Sequence, residues 1–293
     1  MRKFILGTDW WSDCDDAVAL RLLTRAVNAG KVSLLGIAIN ACMEDSVASL
    51  KGFLESDGIK DMPIGIDASA TGFEGETLYQ KRLAETFCPN THNADAEDAV
   101  RLYRRLLANA DDKVEIIEIG FLQVVAALLK SQADDISEKT GIQLVKEKVS
   151  KFWIMAGKWD ADGEKEHNIC LNPTTRTASK EVFQLCPVPI TLLGFEIGYG
   201  VITGDQLDKD DVLYQVLLDH GSEEGRHSWD PMLVMLALIG DEQNAGYSTE
   251  TGIASVDPET GANYFEKTET GLHKFVIKNY ENSYYADKIN RLI

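Results

Sequence analysis

Residues 4–20 read FILGTDWWSDCDDAVAL, and a change of period inside this stretch decides the fold. Phe4 to Thr8 is a short β-prone run. After Asp15 the apolar residues recur at helical spacing, with Ala17, Val18, Leu20, Leu22, Leu23 and Val27 on one stripe and Arg21, Arg25 and Asn28 off it. The stretch predicts a strand over 4–8, a turn, and a helix over 15–29 that packs on a sheet. In the turn and the helix entry, Asp9, Asp13, Asp15 and Asp16 place four carboxylates within eight residues, a grouping that repels itself unless positive charge lies among them.

The alternation continues outward. Apolar runs at 32–39, 113–119, 151–155 and 189–194 interleave with helical-period segments at 44–56, 121–131 and 173–185. Strands separated by helices mean βαβ units, so the expected fold class is α/β, an open and mainly parallel sheet flanked by helices. Asn172-Pro173-Thr174-Thr175 supplies a capping side chain followed by proline at the first helical position, and predicts a helix start. Residues 241–293, with Gly246, Gly252 and Gly261 among short β-like pieces, read as a small hairpin-rich C-terminal part. No linker, repeat or low-complexity segment divides the chain, so residues 1–293 are expected to form a single domain.

Composition narrows the function. A 44% hydrophobic, 26% charged chain folds, and a formal charge of −18 repels nucleic acid and anionic membranes, which are excluded as partners. The five cysteines are scattered in apolar runs and read as reduced core residues, without a zinc site. No apolar span of about 20 residues and no h-region is present, so a cytoplasmic protein is expected unless a signal peptide has been removed.

Ligands of open α/β sheets bind at the carboxyl ends of the strands, where the aspartates fall. One Asp there is usually a helix cap; four point to a divalent cation. A phosphatase that begins strand-Asp needs a second acid two residues later, and here that position is Trp11.

The run Thr8 to Leu20 resembles the inosine-uridine-preferring nucleoside hydrolases, in the branch with a longer turn of the form T-D-x-G-S-D-x-D-D-A-x-A-L, with Trp11 at the glycine. The similarity continues in order through Ile119-Gly120-Phe121-Leu122, Met155-Ala156-Gly157, Glu166-His167-Asn168 with Asn172-Pro173, Gly194-Phe195-Glu196-Ile197-Gly198 and Ser228-Trp229-Asp230-Pro231. It covers about the first 230 residues.

The resemblance implies a Rossmann-like nucleoside hydrolase fold, a role in nucleoside salvage, and calcium-dependent hydrolysis of ribonucleosides to ribose and free base. It implies Ca²⁺ ligands in the carboxylates of Asp9, Asp16 and Asp230 and the carbonyl of Ile119, with Asp15 as the base that takes a proton from a cation-held water. Asn168 would bind the ribose hydroxyls and Glu166 the 5′-hydroxyl, with Asp160 assisting; Asp15, Trp229 and Asp230 complete the substrate site. Relatives are commonly dimers or tetramers, so a homodimer or homotetramer is implied.

The sequence departs from that pattern in three places. Several members carry a proton-donating histidine just before the last aspartate, where this chain has Trp229. His227 lies two residues earlier, and alternation along an extended segment would put it on the side of Trp229, away from Asp230. The loop after the second strand presents Met43, near Asn40 and Cys42, where an asparagine is usual, and Phe121 and Gln123 replace Pro and Thr. Trp10, Trp11 and Trp229 have faces on which a base could stack, although each alone is more often a packing residue. Hydrolysis of another ribosyl or glycosyl compound and non-catalytic nucleoside or sugar binding therefore stay open as alternatives.

Overall fold

The computed structural model describes residues 1–293 except Ser12, Glu74 and Glu76. Seven parallel strands form the body of one sheet: β1 (Arg2–Thr8), β2 (Val32–Ile39), β3 (Ile64–Ile66), β4 (Glu97–Asp98), β5 (Val114–Glu118), β6 (Val149–Met155) and β7 (Ile190–Leu193). β8 (Ile202–Thr203) and β9 (Arg226–His227) pair separately. β10 (Tyr247–Val256), β11 (Asn263–Lys267) and β12 (His273–Lys278) complete a ten-stranded sheet in the order β11-β10-β12-β7-β6-β5-β1-β2-β3-β4.

β1 lies at the centre, so its residues alternate between two cores. Phe4 and Leu6 join the cluster containing Ala17, Val18 and Leu20 of the helix Asp15–Asn28. Ile5 faces the opposite cluster, with Leu102 and Tyr103 of the helix Ala99–Ala108. The expected helix over 173–185 is the helix Pro173–Leu185, and Asn172 caps it as predicted, its Oδ1 accepting from the Thr174 and Thr175 amides at 2.9 and 3.0 Å.

From β1 the chain winds through β2, β3 and β4 on one side, then returns to place β5, β6 and β7 on the other. The order therefore reverses between β1 and β5. Their carboxyl ends diverge from a common crevice, the place where doubly wound folds bind ligands.

The C-terminal part contains the expected small set of antiparallel strands. β10 pairs antiparallel with both β11 and β12, but β12 runs parallel to β7 and so extends the main sheet. The extension buries His273, whose Nδ1 accepts the Ala254 amide at 2.9 Å, and burial pushes its pKa down to about 4. The folded protein thus keeps neutral an imidazole that the unfolded chain protonates below about pH 6.5. This contribution is complete above that pH and is lost as pH falls towards 4, by roughly 3 kcal/mol at most. His273→Gln, which keeps an acceptor, is expected to flatten the fall in melting temperature between pH 6.5 and 4 relative to the native chain.

Candidate active site

The turn after β1 is set by a residue that conformational preference would not choose. Trp10 adopts φ 44°, the left-handed region that costs a non-glycine residue about 1–2 kcal/mol. Its surroundings hold it there: the amide donates to Thr8 Oγ1 at 3.0 Å, the indole N–H donates to Ser49 Oγ at 2.9 Å, and the carbonyl accepts from the Gln80 side chain. Trp10 is fully buried against Phe53 and Tyr79, so it is a packing residue and offers no face to a base. Trp11, on the other side of the twist, lines the crevice. Ser12 of this turn lies outside the described residues.

A second turn meets the first. Any Cβ at Gly120 would overlap the Asp9 amide and lie 2.6 Å from Asn40 Oδ1, so glycine allows Ile119 to approach Asp9. Asn40 Oδ1 accepts the Phe121 amide at 3.0 Å, and the Asn40 carbonyl accepts from the Gln123 side chain. Asn40 is buried and acts as the clamp between the ends of β1, β2 and β5, while Met43 does not line the crevice.

The third contribution corrects an expectation. The segment from His227 to Asp230 was expected to be extended, but the strand ends at His227 and Trp229–Ile239 is a helix with Asp230 in its first turn. Its N-terminus points at that of the helix Asp15–Asn28: Asp15 Oδ2 accepts both the Trp229 and the Asp230 amides at 3.1 Å. Two positive helix ends therefore face one cluster of acids. His227 is turned away, its Nδ1 accepting the Gly200 amide at 2.9 Å and its ring stacked on Tyr199.

These elements enclose a cavity of about 220 Å³ lined by Asp9, Asp15, Asp16, Asp230 and the sequence-predicted Ile119, Glu166, Asn168 and Trp229, together with Asp13, His167 and Phe195. Asp15, Asp16 and Asp230 bring ligand oxygens within 4.8 Å of one another. Burial, reinforced by mutual repulsion, pushes all three carboxyls well above their usual range, and raises Asp9 to about 7 by burial and the Asp15 charge. Asp16 also accepts from the Thr8 hydroxyl and from the Trp10 amide. Hydrogen-bond donors are too few to neutralise four buried acids. Hard oxygen donors crowded into a cavity fit a divalent cation, whose charge is what the arrangement lacks.

Asp13 departs from its neighbours. Burial opposes its ionisation, yet the Arg226 guanidinium, at 2.9 and 2.6 Å, holds it below its ordinary range. The pair ties β9 to the turn after β1. Asp13, Cys14 and His220 also bring ligand atoms close together, but burial pushes the Cys14 thiol up and keeps it protonated, a poor partner for a metal.

On the opposite wall, Glu166 accepts the Asn168 amide at 2.8 Å and the Gly157 amide at 2.9 Å, and burial raises it to about 7. Asn168 donates to the Met155 carbonyl at 3.0 Å, and its Oδ1 accepts no hydrogen bond among the described residues, which leaves that oxygen for a ligand. Asp160, expected to assist, is exposed outside the cavity and pairs with Lys158 at 3.0 Å. The loop turns at Gly157, with φ 81°, and buries Trp159, which carries the next residue outward.

The sequence reading named Asn40, His167 and Phe195 without giving them a role and did not single out Arg226. Arg226 and Asn40 gave no local signal, because their partners are distant in the chain. His167 was visible only as the middle residue of a recognised triplet.

The mostly parallel sheet with helices on both faces matches the nucleoside hydrolase fold. The chain aligns over 100% of its length with 99% of an inosine-uridine preferring nucleoside hydrolase from Bacillus anthracis, at TM-score 0.71 and 16% identity. It also aligns over 99% of its length with 93% of the type III effector protein XopQ, whose structure is complexed with adenosine diphosphate ribose, at TM-score 0.67 and 14% identity. A further effector protein matches at TM-score 0.68 and 15% identity, over 99% of this chain and 92% of that one. No protein-family model and no curated protein sequence matches the chain. No helix among the described residues is long and apolar enough to cross a membrane.

Proposed function

We propose that the protein is a calcium-dependent ribonucleoside hydrolase that releases ribose and a free base. The observation that carries this reading is the clustering of Asp15, Asp16 and Asp230 within 4.8 Å in a buried crevice that Asn168 also lines. The cation would be held by the carboxylates of Asp9, Asp16 and Asp230 and the carbonyl of Ile119. When bound, it supplies the positive charge that lets these acids ionise together, and it favours the higher coordination number that Ca²⁺ offers to sugar hydroxyls and water.

Asp15 is the base. Its Oδ2 is fixed by two helix-terminal amides and its Oδ1 accepts no hydrogen bond among the described residues, so one oxygen positions the group while the other takes a proton from the attacking water. The anionic carboxylates favour the positive charge that develops on the sugar as the C1′–N bond breaks. Asn168 Oδ1 accepts from a ribose hydroxyl, Glu166 accepts the 5′-hydroxyl through a remaining lone pair, and the Trp229 ring bounds the substrate.

Buried groups shaped to bind hydroxyls are left unpaired when one is missing. Inosine or uridine is therefore expected to exceed its 2′-deoxy counterpart by about 10³-fold or more in kcat/KM, with activity abolished by excess EGTA. Equal turnover of the two sugars, or base release that persists in EGTA, overturns this reading. Trp229 before Asp230 favours a second reading in which the leaving group is not a nucleobase; turnover of other ribosides with none of nucleosides is its signature.

A further inference from the structure

A base that departs from ribose carries away the electron pair of the C1′–N bond and needs a proton. The aspartates proposed as ligands and base act as anions, and Glu166, which accepts one backbone amide on each carboxylate oxygen, is turned to the sugar's 5′-hydroxyl rather than to the base. The cavity lining contains no Lys, Arg, Tyr or Cys. It does contain one histidine.

His167 begins the short helix His167–Cys170, beside Asn168. Its side chain is exposed and stacks on Trp11, with centroids 6.1 Å apart and planes at 24°, and lies 5.9 Å from the Phe121 ring. Neither ring nitrogen has a hydrogen-bond partner among the described residues. The other four histidines are placed elsewhere: His92 starts a surface turn, His220 contacts Ser222 at a helix end, and the Nδ1 atoms of His227 and His273 accept backbone amides. Phe73 packs on Trp11 and Phe121, both at 5.0 Å, and the two phenylalanine rings back Trp11, which lines the cavity beside His167 and offers a flat surface to a planar leaving group.

We propose that His167 is the catalytic acid that protonates the leaving base, an assignment that rests on the hydrolase reading above. As C1′–N breaks, the electron pair passes to the base nitrogen, which takes the proton of the imidazolium. Water adds its oxygen to C1′ and gives its proton to Asp15. Exchange with solvent returns Asp15 to the anion and His167 to the cation, so the net reaction is riboside plus water to ribose plus base.

Asp13, held by Arg226, is the charge that faces His167 from the turn after β1, and Trp11 and Phe121 face it as uncharged rings. Partial desolvation beside Trp11 and Phe121 lowers the imidazole pKa and the Asp13 charge opposes this. Its acid form is therefore lost at a lower pH than that of a free imidazole.

The test compares inosine with 4-nitrophenyl β-D-ribofuranoside, whose phenolate leaves without a proton, in calcium chloride. His167→Phe keeps a ring against Trp11 and is expected to lower kcat for inosine by about 100-fold or more, with the nitrophenyl riboside changed by no more than about threefold. The alkaline fall of kcat for inosine is expected to disappear in the variant. His227→Gln is expected to act as the native chain on both substrates. Equal losses on both substrates, no loss on either, or a selective loss in His227→Gln overturns the assignment and leaves the hydrolase reading standing. Failure of the native protein to cleave either riboside overturns both.

Discussion

Asp15→Asn is expected to lower kcat for the proposed ribonucleoside hydrolysis by about 10³–10⁴-fold, the range for removal of a positioned general base. The substitution is nearly isosteric, and its oxygen still accepts the Trp229 and Asp230 amides that fix the native carboxylate. The junction between the two helix ends therefore survives, and KM should change far less than kcat. Retained cation binding, read as a calcium-dependent rise in melting temperature, separates loss of the base from loss of the site. A kcat within tenfold of the native value removes Asp15 from the role proposed for it.

Calcium itself is expected to have the second large effect, on stability. Binding to the folded state alone adds about 2.7 kcal/mol at a hundredfold excess over Kd, and for a chain of this size that is expected to raise the melting temperature of chelator-treated protein by about 4 °C. Asp16→Asn preserves an acceptor for the Thr8 hydroxyl and the Trp10 amide but removes one of the repelling charges. Without calcium the variant is expected to melt above the native protein; with calcium it gains little. This is the usual opposition between stability and function at a crowded polar site. An unchanged calcium increment in Asp16→Asn places the cation elsewhere, and no increment in the native protein excludes the site.

Local patterns made much of this architecture legible. The strand and helix of residues 4–28 and the helix starting after Asn172 are written in apolar period and capping chemistry, which act over a few residues. The helix at Trp229 was readable in principle, since Asp230 and Pro231 precede eight apolar residues at 232–239, but a proline beside an aspartate reads equally as a turn. The Trp10 backbone was not readable, because its left-handed conformation is imposed by Ser49 and Gln80 from other elements. Asp13 looked like one more acid of the cluster until Arg226, 213 residues away in sequence, accounted for it. Asp160, which the resemblance placed with Glu166, stands exposed outside the cavity and pairs with Lys158, a placement that depends on how the loop after Gly157 packs.

The contact between the helix ends has a kinetic side. Asp15 and the amide of Asp230 are 215 residues apart, so the crevice exists only after both flanks of the sheet have been laid down against β1. A fragment that ends before residue 229 would contain Asp9, Asp15 and Asp16 yet lack the helix that supplies both the fourth acid and the amides holding Asp15. Occupancy by a cation then reports that the chain has finished folding, and the free energy it contributes slows the opening of the native state more than it speeds its formation.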